Sequence, residues 1–320
     1  MIHTSPSLNA HRLQPERVRR FYRGGALIGG LRGRAEEDGP CPEDWLGSVT
    51  PARNPGSSDP EEGLSRLADG RLLRDAILED PAGWLGDKHI ARYGTSTGLL
   101  VKLLDAAERL PVHAHPDRAF AHSRLGSDFG KTEAWIVLAT SADAAAVWVG
   151  LGKPVDRETY RDWIERQDTD ALLQSLSRLA VRAGDVVYVP AGIPHAIGAG
   201  VLIAEVQEPT DFSILCEWRG FPIRPDDAHL GLGWETALEA LDLDAHEPSL
   251  GLPPEARSFF WVDGRAEPAG RFAVALVVDG EGTIDGEPVR AGDAFALPAA
   301  AARLDVDGQL RVLRFLAPEP

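Results

Sequence analysis

The chain has 320 residues, 43% of them hydrophobic and 26% charged, the balance of a globular protein with enough core for one large or two ordinary domains. Its formal net charge of −16 argues against nucleic acid or an anionic membrane as partner, though not against a small anion held in a local cationic pocket. No apolar run approaches the ~18 residues needed to span a bilayer. The N-terminus M-I-H-T-S-P-S-L-N-A-H-R lacks the apolar core of a secretory signal. Two cysteines, Cys41 and Cys216, make neither a disulfide framework nor a thiolate metal spacing. A cytoplasmic protein with reduced thiols is expected.

Residues 1 to about 95 are punctuated by Gly, Pro and Asp, and R-N-P-G-S-S-D-P at 53–60 reads as a surface loop. Leucines at helical spacing predict a helix over 61–78, unless Gly70 splits it. From Gly98 the pattern becomes strand-like, with G-L-L-V-K-L-L-D-A, E-A-W-I-V-L-A and A-A-A-V-W-V-G. Residues 156–179 switch to a helical period, and strands resume in D-V-V-Y-V-P and V-L-I-A-E-V-Q. The 220–258 region is expected to add a helix at W-E-T-A-L-E-A-L. A shorter β-rich unit begins near Phe259, and its A-G-D-A-F-A-L-P-A echoes the earlier A-G-D-V-V-Y-V-P-A as a weak internal repeat.

One constellation carries chemistry. His113 and His115 lie in P-V-H-A-H-P, Glu133 follows in G-K-T-E-A-W, and His195 ends V-V-Y-V-P-A-G-I-P-H. Three imidazoles and a carboxylate form a full ligand set for one divalent transition ion. In an extended strand, residues i and i+2 share a face, so both histidines of H-A-H can reach it. Gly184, Pro190, Gly192 and His195 fit a cupin-type spacing, with Gly and Pro setting tight corners. In the second unit Ala300 and Arg303 replace the counterparts of Gly192 and His195, so it is expected to be structural. His89, His122 and His229 lack ligand spacing and read as surface groups, and Trp45, Trp84, Trp135 and Trp148 as packing residues. Trp135, two residues beyond Glu133, is also placed to line the pocket. No phosphate-cradling loop or nucleophile elbow is present.

The segments V-K-L-L-D-A-A-E-R-L-P-V-H-A-H-P-D, G-K-T-E-A-W and V-P-A-G-I-P-H-A-I-G-A-G-V-L-I-A-E-V-Q resemble motifs of type I mannose-6-phosphate isomerases, and weaker similarity, including W-L-G-S-V, extends over most of the chain. The resemblance implies a mainly β fold of two cupin-like (jelly-roll) β-barrels with a few accessory helices: 1–255 as the metal-binding unit and 256–320 as a degenerate one. It implies one divalent metal ion, zinc first and Mn, Fe, Co or Ni as alternatives, held by His113 (where the family usually has Gln), His115, Glu133 and His195. Lys131, which would share the ligand face of its strand, and Glu205, aligned with a family glutamate, are the expected substrate or proton-transfer groups. The implied reaction is mannose 6-phosphate to fructose 6-phosphate through an enediolate, which a metal and a positioned base can support. The partner is a small sugar or sugar phosphate, in a monomer or homodimer.

Two departures bear on the phosphate. Pro111 stands at a serine position and offers neither hydroxyl nor N–H; Leu215 stands where the family has an arginine, leaving Arg219 or Arg224 as substitutes. The alternatives are therefore an isomerase or epimerase of another sugar, phosphorylated or not, or a non-catalytic sugar-binding cupin.

Overall fold

The computed structural model describes residues 9–54, 57–141, 145–267, 269–301 and 303–320. Its strands before the histidine motif are β1 (His11–Arg12), β2 (Arg17–Val18), β3 (Glu43–Leu46) and β4 (Leu100–Ala106). Around the motif follow β5 (His113–Ala114), β6 (Glu133–Thr140), β7 (Ala146–Leu151), β8 (Leu176–Ala180), β9 (Val186–Val189), β10 (His195–Ile197), β11 (Val201–Gln207) and β12 (Ile214–Leu215). The last five are β13 (Trp261–Asp263), β14 (Ala273–Ile284), β15 (Glu287–Arg290), β16 (Ala294–Leu297) and β17 (Val306–Leu316).

The architecture is mainly β, and its strands form three open sheets rather than closed barrels. One sheet runs β2-β3-β4-β11-β6-β9, a second β12-β5-β10-β7-β8, and a third β1-β16-β14-β17-β13 with β15 on β14. Period-2 alternation assigns each strand two jobs. On β4, β6 and β11, Leu104, Trp135, Val137, Val201 and Ile203 enter one core shared with Val147, Val149 and Ile197 of the second sheet. Their neighbours Val101, Leu103, Ala134, Ile136, Ala204 and Val206 enter another, shared with Val274, Leu276, Ala296 and Phe315 of the third sheet. Strands buried on both faces must read as nearly continuous apolar runs, as these do. β14 alternates likewise, with Ala273, Ala275 and Val277 in a core internal to the last unit. The proposed boundary at residue 255 is crossed by β1, whose His11 pairs with Ala296.

The helices at 157–166, 169–175 and 234–240 cover the outer face of the second sheet, where Tyr160, Ile164, Leu172 and Leu238 pack on Ala114, Ala196 and Ile214, while Ile28, Leu73, Ile77 and Trp84 of the N-terminal helices pack in the core shared with the third sheet. The expected single helix over 156–179 is instead two, Arg157–Arg166 and Thr169–Ser175. Asp156 caps the first through Thr159 N at 2.9 Å and Asp168 caps the second through Ala171 N at 3.1 Å. Leu179, expected on the helix, pairs with Val147 in β8. The predicted 61–78 helix is cut back to Leu73–Glu79, because Gly70 adopts φ +89° in a turn that bridges Arg66 to Leu72. The weak sequence repeat is a structural repeat. Gly184 donates to Val137 O and Gly292 to Val277 O, both at 2.8 Å, while Asp185 and Asp293 accept from Arg182 N and Arg290 N, both at 3.0 Å.

Candidate metal centre

The first two sheets form a cup, and the histidines line it. His195 of β10 pairs directly with His113 of β5, placing both rings on the inner face with centroids 4.1 Å apart. His115 follows β5 and is held by its backbone carbonyl, which accepts from Gly192 N at 2.7 Å. Gly192 adopts φ +88°, a conformation that glycine takes without strain, so the turn leading to His195 is tied to the segment carrying the other two histidines. The three rings lie within 5.0 Å of one another, and one ligand nitrogen from each falls within 4.8 Å of the others.

Backbone carbonyls orient all three rings. His113 Nδ1 faces Pro111 O at 2.8 Å, His115 Nδ1 faces Phe212 O at 2.7 Å, and His195 Nδ1 faces Ile193 O at 2.8 Å. A carbonyl only accepts, so each proton sits on Nδ1 and each Nε2 lone pair points into the cup. Burial, reinforced by His195 and His115, holds the His113 imidazolium well below the usual range. Burial and the Lys131 ammonium push His115 down to about 3, and burial lowers His195. All three are neutral ligands near pH 7. His195 Nε2 is buried with no hydrogen-bond partner, an atom whose desolvation goes uncompensated unless a cation or donor meets it. That orphan and the shared tautomer fit a transition ion.

Glu133 touches two of the imidazoles, at 3.2 Å from His115 Nε2 and 3.4 Å from His195 Nε2. Its other contacts are the Lys131 ammonium and Trp135 Nε1, which donates at 2.9 Å. Burial alone would raise its carboxyl, but Lys131, His115 and His195 hold it well below the usual range. Lys131 Nζ also meets His115 Nε2 at 2.8 Å and Glu205 Oε1 at 3.3 Å. Burial opposes its charge, but the Glu133 and Glu205 carboxylates prevail and raise the ammonium above its ordinary value. Glu205 is raised to about 7, chiefly by burial and by Glu133, with Lys131 and Lys102 opposing.

Register explains this row. Across the first sheet Trp45, Lys102, Glu205 and Trp135 are directly paired neighbours on β3, β4, β11 and β6, so all four project from the same face. Lys102 Nζ lies 4.8 Å over the Trp45 ring. It also lies 3.6, 3.8 and 3.9 Å from Glu43, Glu205 and Asp211. Beyond it Arg20 pairs with Asp211 at 2.9 and 3.1 Å and with Glu43 at 3.2 Å. Arg20, Glu43, Lys102, Glu205 and Asp211 line one pocket with His113 and His115.

The structure thus brings together His113, His115, Glu133, His195, Lys131 and Glu205. It corrects the placement of Arg219: that side chain is exposed and donates to Arg166 O at 2.8 Å, outside the pocket lining. Arg224 is exposed as well. Leu215 does line the pocket. His89, expected at the surface, is buried, with Nε2 2.7 Å from Ser96 O. Arg20, Tyr22, Glu43, Lys102 and Asp211 were missed by sequence reasoning. A lysine inside L-L-V-K-L-L was the available signal, since a charge in a strand buried on both faces requires partners.

No protein-family model matches the chain. Mannose-6-phosphate isomerase of Streptococcus mutans is 39% identical over 135 residues, covering 41% of this chain and 41% of that protein. The match therefore spans about two fifths of the relative's length. The crystal structure of mannose 6-phosphate isomerase from Bacillus subtilis superposes with a TM-score of 0.73 at 23% identity, over 96% of this chain and 99% of that one. The chain is thus similar to mannose-6-phosphate isomerases in sequence over about two fifths of its length and in fold over nearly all of it. A mannose 6-phosphate isomerase bound with zinc and yttrium shares the fold at TM-score 0.68 with 14% identity, over 97% of this chain and 100% of that one.

Proposed function

We propose that this protein is a divalent-metal-dependent aldose–ketose isomerase of the mannose-6-phosphate isomerase family. The observation that carries the reading is the convergence of three inward Nε2 lone pairs beside the chain Glu133–Lys131–Glu205. His113, His115 and His195 would hold the ion, with Glu133 as the fourth ligand. Zinc suits this nitrogen-and-oxygen set, as do Mn, Fe, Co and Ni, and a mannose 6-phosphate isomerase of the same fold is bound with zinc. When bound, the ion supplies Lewis-acid polarisation of the sugar's carbonyl and neighbouring oxygen.

The protein groups do the rest. Isomerisation removes the C2 proton of the aldose, passes through an enediolate and delivers a proton to C1. Glu205 is the base: its carboxyl near 7 leaves it able both to take and to return a proton at physiological pH. Lys131, kept cationic by two carboxylates, donates hydrogen bonds to the oxygens on which negative charge develops. Burial of both groups excludes water that would exchange the proton in flight. The relatives' names make mannose 6-phosphate the first sugar to assay.

The test is turnover by metal-loaded protein of mannose 6-phosphate and of free mannose, with the ketose detected enzymatically. Isomerisation of either, lost on chelation and in Glu205→Gln, is the expected result. Sugar binding without any ketose product overturns the reading.

A further inference from the structure

The pocket's charges form a closed ladder. Among the described residues its lining holds three cations, Arg20, Lys102 and Lys131, and four carboxylates, Glu43, Glu133, Glu205 and Asp211. Every cation is engaged: Lys131 by Glu133 and Glu205, Lys102 by Glu43, Glu205 and Asp211, Arg20 by Asp211 and Glu43. The contacts run in sequence from the imidazoles through Glu133, Lys131, Glu205 and Lys102 to Glu43 and Asp211, and end at Arg20, the last cation of this chain of contacts. Besides the imidazoles of His113 and His115, the remaining lining is apolar except for two hydroxyls, that of Tyr22, which donates to Glu43, and that of Ser213, 3.4 Å from His115 Nδ1.

A phosphate dianion needs donors that are not already satisfied, commonly an Arg fork or a run of free backbone N–H groups. Arg20 could serve only by leaving Asp211 and Glu43, two buried carboxylates that would keep Lys102 as their one cation at 3.9 and 3.6 Å, and removing one partner of a buried ion pair is strongly unfavourable. The adjacent cation Arg109 is likewise committed, bidentate to Glu217 at 2.6 and 2.7 Å. Arg53 lies over the Phe212 ring, outside the lining. A hydroxyl, by contrast, both donates and accepts. Alternating carboxylates and cations can take its proton and supply its lone pairs without losing an ion pair.

We propose that the sugar turned over here is a neutral, unphosphorylated aldose, and that Asp211 with Arg20, at the end of this chain of contacts, reads its hydroxyls. The inference rests on the isomerase reading above and names its substrate class. Asp211 is then a specificity-determining residue. Its replacement by asparagine keeps the shape, removes one negative charge and loosens Arg20.

Metal-loaded protein is assayed with free mannose and mannose 6-phosphate, and inorganic phosphate is tested as a competitor and as a ligand by calorimetry. The expected result is a kcat/KM for the free sugar roughly tenfold or more above that for the phosphorylated one, with no phosphate binding at millimolar concentration. Asp211→Asn should raise KM for the free sugar while lowering it for the phosphorylated sugar. A merely structural role would weaken both together, and that outcome overturns the assignment of Asp211. Preference for the phosphorylated sugar, or phosphate binding abolished by Arg53→Ala, overturns the neutral substrate and leaves the isomerase reading intact. Turnover of neither sugar overturns both.

Discussion

Arg20→Met tests the ion-pair network most directly. The guanidinium is bidentate to Asp211 at 2.9 and 3.1 Å and reaches Glu43 at 3.2 Å, with side-chain exposures of only 9%, 1% and 3%. Methionine fills much the same space but leaves Lys102 as the one cation beside both carboxylates, at 3.6 and 3.9 Å, with Tyr22 and Trp45 still donating to Glu43 and Arg53 N to Asp211. Breaking a buried pair from one side costs about 3–5 kcal/mol, and the remaining lysine places the expectation near the lower end, about 3 kcal/mol. Burial alone would raise the carboxyls of Glu43 and Asp211, but Arg20 and Lys102 hold them below their ordinary values of 4.5 and 3.8. Stability from such groups is fully present above those ordinary values and is lost as pH falls through the lower folded ones. The variant has little of it to lose. Urea unfolding followed by tryptophan fluorescence should therefore show a gap between parent and variant that is about 3 kcal/mol at pH 7 and narrows on acidification below about pH 4. Adding Asp211→Leu to the variant should recover part of the loss. A variant as stable as the parent, or a gap that ignores pH, would refute the electrostatic account.

Other consequences can be measured independently. Glu205→Gln and Lys131→Met should each lower kcat by about 10²–10⁴ while metal content by elemental analysis stays at the parent level. If Glu205 is the base, kcat/KM must fall as pH drops through about 7, where its carboxyl gains its proton, and Lys102→Met should move that limb upward by removing a cation that opposes protonation. His113→Ala should reduce metal affinity at least ~10-fold in calorimetry, and chelation of the parent should lower Tm, because an ion at a thousand times its Kd contributes about 4 kcal/mol. Gly192→Ala, forced into φ +88°, should cost about 1–3 kcal/mol in urea unfolding; an unchanged midpoint would show that the turn tolerates a side chain.

The parts of the site legible in the sequence were those with short-range grammar. H-A-H places its two histidines by strand alternation, and the Gly–Pro–Gly–His spacing marks the corner that presents His195. Lys131 and Glu205 were reached by resemblance. Arg20, Glu43 and Asp211 were not, because no local pattern joins a strand near residue 17, a strand at 43 and the loop after β11. Their meeting is set by sheet order, with β3 between β2 and β4 and β4 between β3 and β11. The misplacement of Arg219 has the same origin: proximity in sequence to Leu215 says nothing about a side chain that leaves the pocket at the end of β12.

Sheet order also explains why the proposed acid–base groups and the candidate ligands are electrostatically linked. Period-2 alternation sends Lys102, Glu205, Glu133 and Trp135 to the inner face, while Leu103, Ala204, Ala134 and Ile136 seal the outer one against the third sheet. With both faces closed, each inner charge is neutralised by a neighbour on its own face, and the simplest arrangement is a chain of alternating sign. Such a chain transmits perturbation along its length: a cation at the imidazoles competes with Lys131 for Glu133, and Lys131 released from Glu133 turns to Glu205. Metal loading should therefore strengthen the Lys131–Glu205 contact and lower the carboxyl of Glu205. Carbonyl infrared difference spectra of parent minus Glu205→Gln would show a protonated-acid band near pH 7 in the metal-free protein that fades when metal is added; a band indifferent to metal would mean that the two halves of the pocket act separately.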